Sequence, residues 1–448
     1  MAGSVSITPV FGLQGTGRWD TDERPTSWRQ TLFMRYPKGE LPLTAIMSKA
    51  GREQSKSAEF HWWEKDTAMM AGLVDNIYTD VVTTPLAVDN TAAGTILWVG
   101  VDGTVDEPLT NYVIEGTELF LTMNTDYRCE VRATVLEVFR DGANSWIKIR
   151  TRTADNSVAG ASLTNCNYAL VMPTLFPEFG GVPQVISYKP GSFMNYSSIK
   201  KEAMALSRTA MKEKGIRPND NDTQYQAMKQ EAMYNLGIKM EYELIYGTRF
   251  EVTDPLTNQI KRGSRGIREA IDSWGVSGAK TSFRYHADYS GQKWVDAGWD
   301  FLSNFFLAMQ QWVTFGETWN CIGAGTLIGL MQLCEANRFL SIDQKTHQVE
   351  YGIEVRDLYT PFGTIHLMDH PLFNRDPSLQ YSWLGVPRKG LRYTFVDDIQ
   401  FLADQNYGKG GLGHVDGRFD LWLVENGYEF NDTKGFYWIN DCGRDNIV

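Results

Sequence analysis

The chain has 448 residues, of which 22% are charged and 42% hydrophobic, as in folded proteins that contain two or three domains. The 54 acidic residues outnumber the 43 basic ones, and the net charge of −11 argues against an extended cationic nucleic-acid-binding surface. The total charge does not exclude a local basic patch. Aromatic residues make up 12% of the chain and include 14 Trp, which excludes disorder as its general state.

The cysteines and the N-terminal sequence indicate the cellular compartment of the protein. The five cysteines are odd in number and none has C-x-x-C spacing, which argues against a disulfide framework or a zinc ribbon and favours a reducing environment. Residues 1–17 show no signal-peptide pattern, and no apolar run approaches the roughly 20 residues of a membrane span. We therefore expect a soluble cytoplasmic protein without a membrane partner.

Residues 1–65 predict an arm rather than a compact domain. Prolines and glycines interrupt the segment, and two short helices are expected near 27–35 and 41–50. Its large aromatic residues, among them Trp19, Trp28 and Phe33, need to be buried. The arm therefore wraps either its own body or a neighbouring subunit.

Residues 85–175 predict a small antiparallel β-rich module, either a barrel or a sandwich. Apolar and polar residues alternate, and Asp141-Gly142 occupies a hairpin position. The expected strands are Thr95–Val101, Tyr112–Ile114, Glu118–Met123, Glu130–Arg140, Trp146–Arg152 and Ala169–Met172.

The clearest helix is expected at 223–246. Apolar residues three or four positions apart, such as Leu236, Met240 and Leu244, form one stripe, and Gly247 can end the helix. The preceding segment 198–214 is ambiguous between a helix and a strand in its first part.

The second half of the chain mixes helices and strands, so the predicted fold class is α+β with a β-rich insertion near the front. A basic loop at 261–268 leads into a short helix at 266–273. Further helices are expected at 299–314 and 326–338, a hairpin around the turn Thr360–Gly363, and strands at 393–396, 400–402, 419–424 and 436–439.

Motifs for cofactors and metals are weak. Residues 408–413 match G-x-G-x-x-G, but a strand rather than a helix is expected to follow, which opposes a dinucleotide site. His366 and His370 are four apart on an expected strand, about 13 Å from one another, too far to share a metal. No metal and no cofactor are expected.

Signatures of catalysis are also weak, and no catalytic residue is predicted. The G-x-S-x-G elbow is missing, and Cys129 and Cys166 fit core positions of the β module. Abundant Trp and carboxylates leave a glycoside hydrolase as one alternative. A phage tail or receptor-binding β protein is another.

The basic loop has two interpretations. It is either a solvated turn or a charge cluster, containing Arg262, Arg265 and Arg268, that meets acidic groups on a neighbouring chain or nucleic acid. The net charge of −11 favours a protein neighbour.

The order of these features resembles the major capsid proteins of tailed bacteriophages. The likeness covers roughly residues 40–440 and lies in order and spacing rather than in one motif. The residues that carry it are LPLTAIMSKAG at 41–51, FHWWE at 60–64, NYSSI at 195–199, MEYELIYGTR at 240–249, RGIREAI at 265–271, GIEV at 352–355, FGTIHLM at 362–368 and LWLVENG at 421–427.

The resemblance implies the Hong Kong 97 fold. In these terms the chain divides into an N-terminal arm at 1–65, an extension-loop region at 66–215 with the β insertion at about 85–175, a peripheral domain at 216–274 with its spine helix at 223–246, a mainly axial domain at 275–420 and a C-terminal return to the peripheral domain at 421–448.

The implied function is that of a virion protein, assembled in the bacterial cytoplasm into the hexamers and pentamers of an icosahedral head around double-stranded DNA. The expected partners are further copies of the chain, a portal protein, scaffolding and decoration proteins, and the packaged DNA by weak non-specific contact. Trp19, Trp28 and Phe33 are the expected arm contacts, and Arg262, Arg265 and Arg268 the expected charged contact. A cellular nanocompartment shell with the same fold is a further alternative.

Overall fold

A computed structural model describes residues 51–446 except residue 69 and the segments 88–90, 105–107, 125–128, 156–160, 177, 179–180, 182–184, 208–223, 337–340, 343–346, 349–353 and 404–416. The described chain divides into two compact units. The insertion unit comprises Trp63–Gly191, and the main unit comprises the residues on either side of it.

The strands and helices follow in chain order. The first strands are β1 (Arg52–Gln54), β2 (Glu59–Glu64), β3 (Ala71–Leu73), β4 (Asn76–Tyr78), β5 (Ile96–Val101), β6 (Thr117–Thr122), β7 (Val131–Phe139), β8 (Ser145–Thr151), β9 (Tyr168–Thr174), β10 (Gly191–Tyr196) and β11 (Ser198–Ser207). Then come α1 (Gln224–Tyr246), β12 (Phe250–Thr253), β13 (Ile260–Gly263), α2 (Ile267–Trp274), β14 (Lys280–Ser282), α3 (Trp294–Met309), β15 (Thr318–Ile322) and α4 (Ala324–Ala336). The last are β16 (Ser341–Ile342), β17 (His347–Gln348), β18 (Glu354–Thr360), β19 (Gly363–Asp369), α5 (Pro371–Arg375), β20 (Trp383–Pro387), β21 (Leu391–Leu402), β22 (Gly417–Phe430) and β23 (Tyr437–Asn440).

The insertion unit is built on one antiparallel sheet in the order β3-β9-β6-β7-β8-β5-β4. Its two outer strands, β3 and β4, are joined by only two residues, a connection that spans at most about 11 Å. The outer edges of the sheet must therefore approach each other, which favours the barrel over the sandwich.

The alternation of buried and more exposed residues explains why the sequence predicts this module. Val131, Ala133 and Val135 on β7 are buried, as are Ile147 and Ile149 on β8, while the residues between them are more exposed. The hairpin at Asp141-Gly142 is confirmed, because a 3-10 turn there joins β7 to β8. The strand expected at 112–114 is wrong. That segment follows the 3-10 turn Leu109–Asn111 and pairs with no strand of the described chain.

In the main unit, α1 packs against a sheet in the order β1-β21-β22-β11. The apolar stripe is confirmed, since Leu236, Met240 and Leu244 are buried. The helix ends where the backbone N–H of Gly247 donates to the carbonyl of Glu243 at 2.7 Å. The ambiguous segment after residue 198 begins as a strand, β11.

The long hairpin β21–β22 corrects one boundary. The two strands expected at 393–396 and 400–402 are a single strand, and the register shifts at Asp397 show that bulges divide it. A bulge resets the side-chain alternation, so one strand looks like two in the sequence.

A second, mixed sheet of the main unit has the order β14-β23-β20-β15-β19-β18-β16, with β17 paired to β18. Aromatic residues such as Trp383 and Trp438 fill its core. The predicted hairpin at 360–363 is confirmed by β18 and β19. The helices expected at 299–314 and 326–338 are α3 and α4, shifted by five and two residues toward the N-terminus. The α+β class is therefore confirmed.

Candidate assembly interface

An exposed β-hairpin, formed by β12 and β13 directly after α1, carries apolar side chains that the described residues of the chain leave exposed. Leu256 is 92% exposed, Ile260 56%, Val252 54% and Phe250 39%. Among the described strands, these two pair only with each other. A short two-stranded ribbon with several exposed apolar residues is typical of a contact surface for another protein.

The hairpin is held in shape by its turn. The Asp254 carboxylate accepts hydrogen bonds from the Thr257 hydroxyl at 2.7 Å and from the backbone N–H of Leu256 at 3.3 Å. These hydrogen bonds, that of the hydroxyl foremost, lower the pKa of Asp254. Asn258 takes a positive φ of 53°, which asparagine tolerates in turns. These contacts hold the turn backbone, which places Leu256 at the tip of the hairpin.

The base of the hairpin is packed closely. Phe250 is paired with Gly263 across the two strands, and its ring covers the glycine. A Cβ at position 263 would lie 2.3 Å from Cε1 of Phe250, well inside van der Waals contact. Only glycine lets the ring lie over the partner strand, so the ring helps to set the direction of the hairpin.

The three arginines expected to form one charged contact lie in three different environments. Arg262, on the hairpin, donates through Nε to Glu251 at 2.7 Å across the strands. Arg268 lies beside two rings, 5.9 Å from the centroid of Tyr246 and 5.8 Å from that of Trp438. An intersubunit role for Arg262 and Arg268 stays a prediction.

Arg265 is buried inside the main unit. Its guanidinium lies 4.0 Å from the centroid of the Trp274 ring and forms a 3.2 Å ion pair with Glu269. The backbone N–H of Arg265 donates to Asn195 Oδ1 at 2.8 Å. Burial lowers the pKa of the Arg265 guanidinium. The structure therefore gives Arg265 an intrachain role, in which it joins α2 to β10.

Asn195 continues this connection into the sheet. Its side-chain amide donates to the carbonyl of Tyr428 at 2.7 Å, so β10, β22 and the start of α2 meet at one buried amide. The Asn195 side chain is fully buried. The base of the hairpin therefore rests on a buried polar network that joins β10, β22 and the start of α2.

Further exposed apolar side chains lie on α3 and α4. Leu307 is 64% exposed and Val295 42% on α3, while Ile328 is 59% and Met331 40% exposed on α4. The two helices are joined where Trp294 Nε1 donates to the carbonyl of Gly329 at 2.9 Å. These side chains are further candidates for contact between copies.

The histidines of the weak metal motif have separate carboxylate partners. His366 Nδ1 lies 2.7 Å from Asp357 Oδ1, and His370 Nε2 lies 3.0 Å from Glu241 Oε1 in a fully buried pair. Within the described ranges, no group of three or more His, Cys, Asp or Glu is placed to hold a metal ion. No helix in that part of the chain has the length and apolarity to cross a membrane.

Some predicted site residues lie outside the described residues. Trp19, Trp28 and Phe33 belong to the first 50 residues, and the glycine-rich motif at 408–413 falls in the segment 404–416. The residues after that motif form β22, the strand that the sequence predicts.

The exposed hairpin itself was missed by the sequence reasoning, which treated 261–268 as a basic loop. A signal was present. The segment 250–253 alternates apolar and polar residues, and Asp254, Pro255 and Asn258 are turn residues. The alternation is short, and both faces of β12 are exposed, so it resembles an ordinary loop.

Comparison with known proteins identifies the family. The family model described as SU10 major capsid protein matches residues 26–382, more than three quarters of the chain. The chain therefore belongs to the SU10 major capsid protein family. It is a phage major capsid protein, a structural component that associates with its own copies in the capsid rather than an enzyme. The glycoside hydrolase and tail-protein alternatives are set aside on this ground.

The solved structures that match the chain are distant in sequence. A chain of Mycobacterium phage Bobi has 9% identity and a TM-score of 0.43 over 94% of this chain and 96% of its own. A chain of Mycobacterium phage Cain has 8% identity and a TM-score of 0.40 over 92% and 89%. The holo-SrpI encapsulin complex of Synechococcus elongatus PCC 7942 has 8% identity and a TM-score of 0.34 over 56% and 75%. No curated protein sequence matches the chain.

Proposed function

We propose that copies of this capsid protein form hexamers and pentamers, which close into an icosahedral head around double-stranded DNA. The observation that carries the proposal is the hairpin β12–β13, which presents Val252, Leu256 and Ile260 to solvent. A neighbouring copy that covers these side chains removes their apolar surface from water, at about 25 cal/mol for each Å² buried. Repetition of this gain at every equivalent contact favours a closed shell.

The proposed architecture is the Hong Kong 97 arrangement implied by the sequence resemblance. In this assignment residues 1–65 are the arm, 66–215 the extension-loop region, 216–274 the peripheral domain with α1 as its spine helix, 275–420 mainly the axial domain, and 421–448 the return. The compactness of the insertion unit supports an inserted domain within the extension-loop region.

The proposed partners follow from this role. A portal protein, and scaffolding or decoration proteins, would bind the shell, and assembly would take place in the host cytoplasm. Contact with packaged DNA would be weak and non-specific, because the net charge of −11 disfavours tight binding of a polyanion.

The central experiment is electron microscopy of the purified chain expressed alone, together with light scattering for mass. We expect closed shells, or hexameric and pentameric rings. These assemblies should contain double-stranded DNA or leave space for it. Persistent trimers, or rings with a subunit number other than five or six, would contradict the proposal. Shells that enclose a protein cargo and exclude nucleic acid would instead favour a nanocompartment.

The hairpin contact is tested by Leu256→Asp and Ile260→Asp. Both residues are exposed, so the free energy of unfolding should change by no more than about 0.5 kcal/mol, while shells should no longer form. The matched control is Val185→Asp in the insertion unit, where Val185 is 82% exposed. Normal shells from both hairpin variants would rule out this surface as an essential contact.

The arm and the charged contact have their own tests. Removal of residues 1–36 should leave a folded chain that fails to form shells, and normal shells would overturn the proposed arm contacts through Trp19, Trp28 and Phe33. Charge reversal by Arg262→Glu should impair assembly of a folded chain. The same change at Arg265 would test folding instead, because that guanidinium is buried.

A further inference from the structure

Two cysteines of the insertion unit lie within reach of each other. The Sγ atoms of Cys129 and Cys166 are 2.7 Å apart, although 37 positions separate the residues in the chain. Cys129 is 0% exposed and Cys166 4%. Both thiols are free in this structure.

The sheet topology explains why these two residues meet. Cys129 lies two residues before β7, and Cys166 lies two residues before β9. Strands β7 and β9 pair with opposite edges of β6, and both start beside its last residues. The two cysteines therefore come together over one end of β6, held by strand pairing on both sides.

We propose that Cys129 and Cys166 form an intrachain disulfide when the protein meets an oxidant, so that they are a modification site of the insertion unit. A disulfide bond measures about 2.04 Å, so the sulfur atoms need to approach by only about 0.7 Å. The oxidant is a small-molecule disulfide such as oxidised glutathione. The two cysteine thiols lose two electrons and two protons to form one S–S bond, and the oxidant is reduced to two thiols.

The surroundings slow this reaction. The neighbouring thiol of Cys129, together with burial, raises the pKa of Cys166, and only a thiolate attacks a disulfide efficiently. Asp155, itself buried, accepts hydrogen bonds from the backbone N–H of Leu163 at 3.0 and 3.1 Å and keeps the turn before Cys166 ordered. Formation of the bond therefore requires local opening of the insertion unit. Once formed, the buried bond is shielded from reductants by the same surroundings.

The consequence is a covalent closure of the insertion unit. The bond would enclose the segment between the two cysteines and restrict its unfolded conformations, which stabilises the folded unit. In the particle, and resting on the proposed function, the closure would follow release from a reducing host cytoplasm into an oxidising medium.

The test is mass spectrometry of the full chain after incubation with oxidised glutathione, with a parallel sample kept in reductant. We expect the oxidised chain to lose the mass of two hydrogens and its free thiols to fall from five to three. Non-reducing peptide mapping should show Cys129 linked to Cys166, and the thermal transition of the insertion unit should rise. This readout requires no shell, so it is independent of the assembly experiment.

Cys334→Ala is the matched control, because Cys334 is half-buried in the main unit and should not affect the bond. Cys129→Ser and Cys166→Ser should each abolish it. Five free thiols in the folded, oxidised wild-type chain would overturn the proposal, and so would a bond that involves another cysteine. The thiol count and the peptide mapping both use the wild-type protein, so they remain valid even where a serine variant folds poorly.

Discussion

The Tyr428 hydroxyl on β22 donates a 3.0 Å hydrogen bond to the carbonyl of Met240 on α1. Both residues are buried, so the bond joins the long helix to the sheet beneath it. Trp422, on the same strand, donates from its indole N–H to the carbonyl of Lys229 at 3.3 Å, about three turns earlier in the helix. Two aromatic donors on β22 thus hold α1 along much of its length.

The buried Tyr428 hydroxyl predicts that the folded chain loses stability at alkaline pH. Burial raises the pKa of Tyr428 well above 10.0, its ordinary value, so the folded chain retains a proton that the unfolded chain loses. Stability is therefore complete below about pH 10 and declines above it. Urea denaturation at about pH 8 and about pH 11 should show a lower midpoint at the higher pH.

Tyr428→Phe is the variant for this test. It should lose about 1 kcal/mol at neutral pH, because the hydrogen bond to Met240 is removed while the ring remains. Its decline at alkaline pH should be shallower than that of the wild type. Equal alkaline slopes in the two proteins would show that Tyr428 is not the group responsible.

Arg265 and Arg262 should differ sharply when each is changed to Met. Arg265→Met breaks a buried pair with Glu269 and removes the cation above Trp274, so we expect a loss of about 3 kcal/mol. Arg262→Met removes a partly exposed pair with Glu251 and should cost less than about 1 kcal/mol. The measurement is urea denaturation of both variants, and similar losses would contradict the division between core and surface arginines.

Gly263→Ala should distort the hairpin. The new methyl group would collide with the ring of Phe250, which must then leave its position across the strands. We expect shell formation to fall while α1 and the main sheets stay folded, measured by electron microscopy and far-ultraviolet circular dichroism. Gly181→Ala is the control, because among the described residues no atom lies within 4 Å of a Cβ at that position. Unimpaired shells from Gly263→Ala would show that assembly tolerates another hairpin geometry.

Gly329→Ala should destabilise the main unit. A Cβ there would lie 2.5 Å from the backbone Cα of Gly443, and backbone cannot move aside as a flexible side chain can. We expect a loss of about 1–3 kcal/mol, as for overpacked cores, and a lower thermal midpoint. Gly316→Ala, whose Cβ would meet only the Thr364 carbonyl at 3.8 Å, should leave the midpoint close to that of the wild type. A larger loss at Gly316 than at Gly329 would refute the packing argument.

Local patterns predicted the elements that have one buried face. The stripe of α1 and the alternation in β7 and β8 are properties of neighbouring residues, because a helix or strand that packs on a core repeats its buried positions at a constant period. The exposed hairpin β12–β13 lacks this constant period of buried positions. Every residue of β12 is exposed, so no contrast between a buried and an exposed face was available to identify it.

The sequence by itself determined the α+β class, the β-rich insertion, the long helix and the likeness to capsid proteins, since these depend on order and periodicity along the chain. Only the tertiary structure decided that Arg265 is buried against Trp274, that Arg262 stands on an exposed hairpin, and that Cys129 meets Cys166. Cys129 and Cys166 are 37 positions apart, and they meet because β7 and β9 both pair with β6. Arg262 and Arg265 contact residues nearby in the chain, but tertiary packing decides which of the two guanidinium groups is buried and which stays partly exposed, because the local sequence around both is alike in charge.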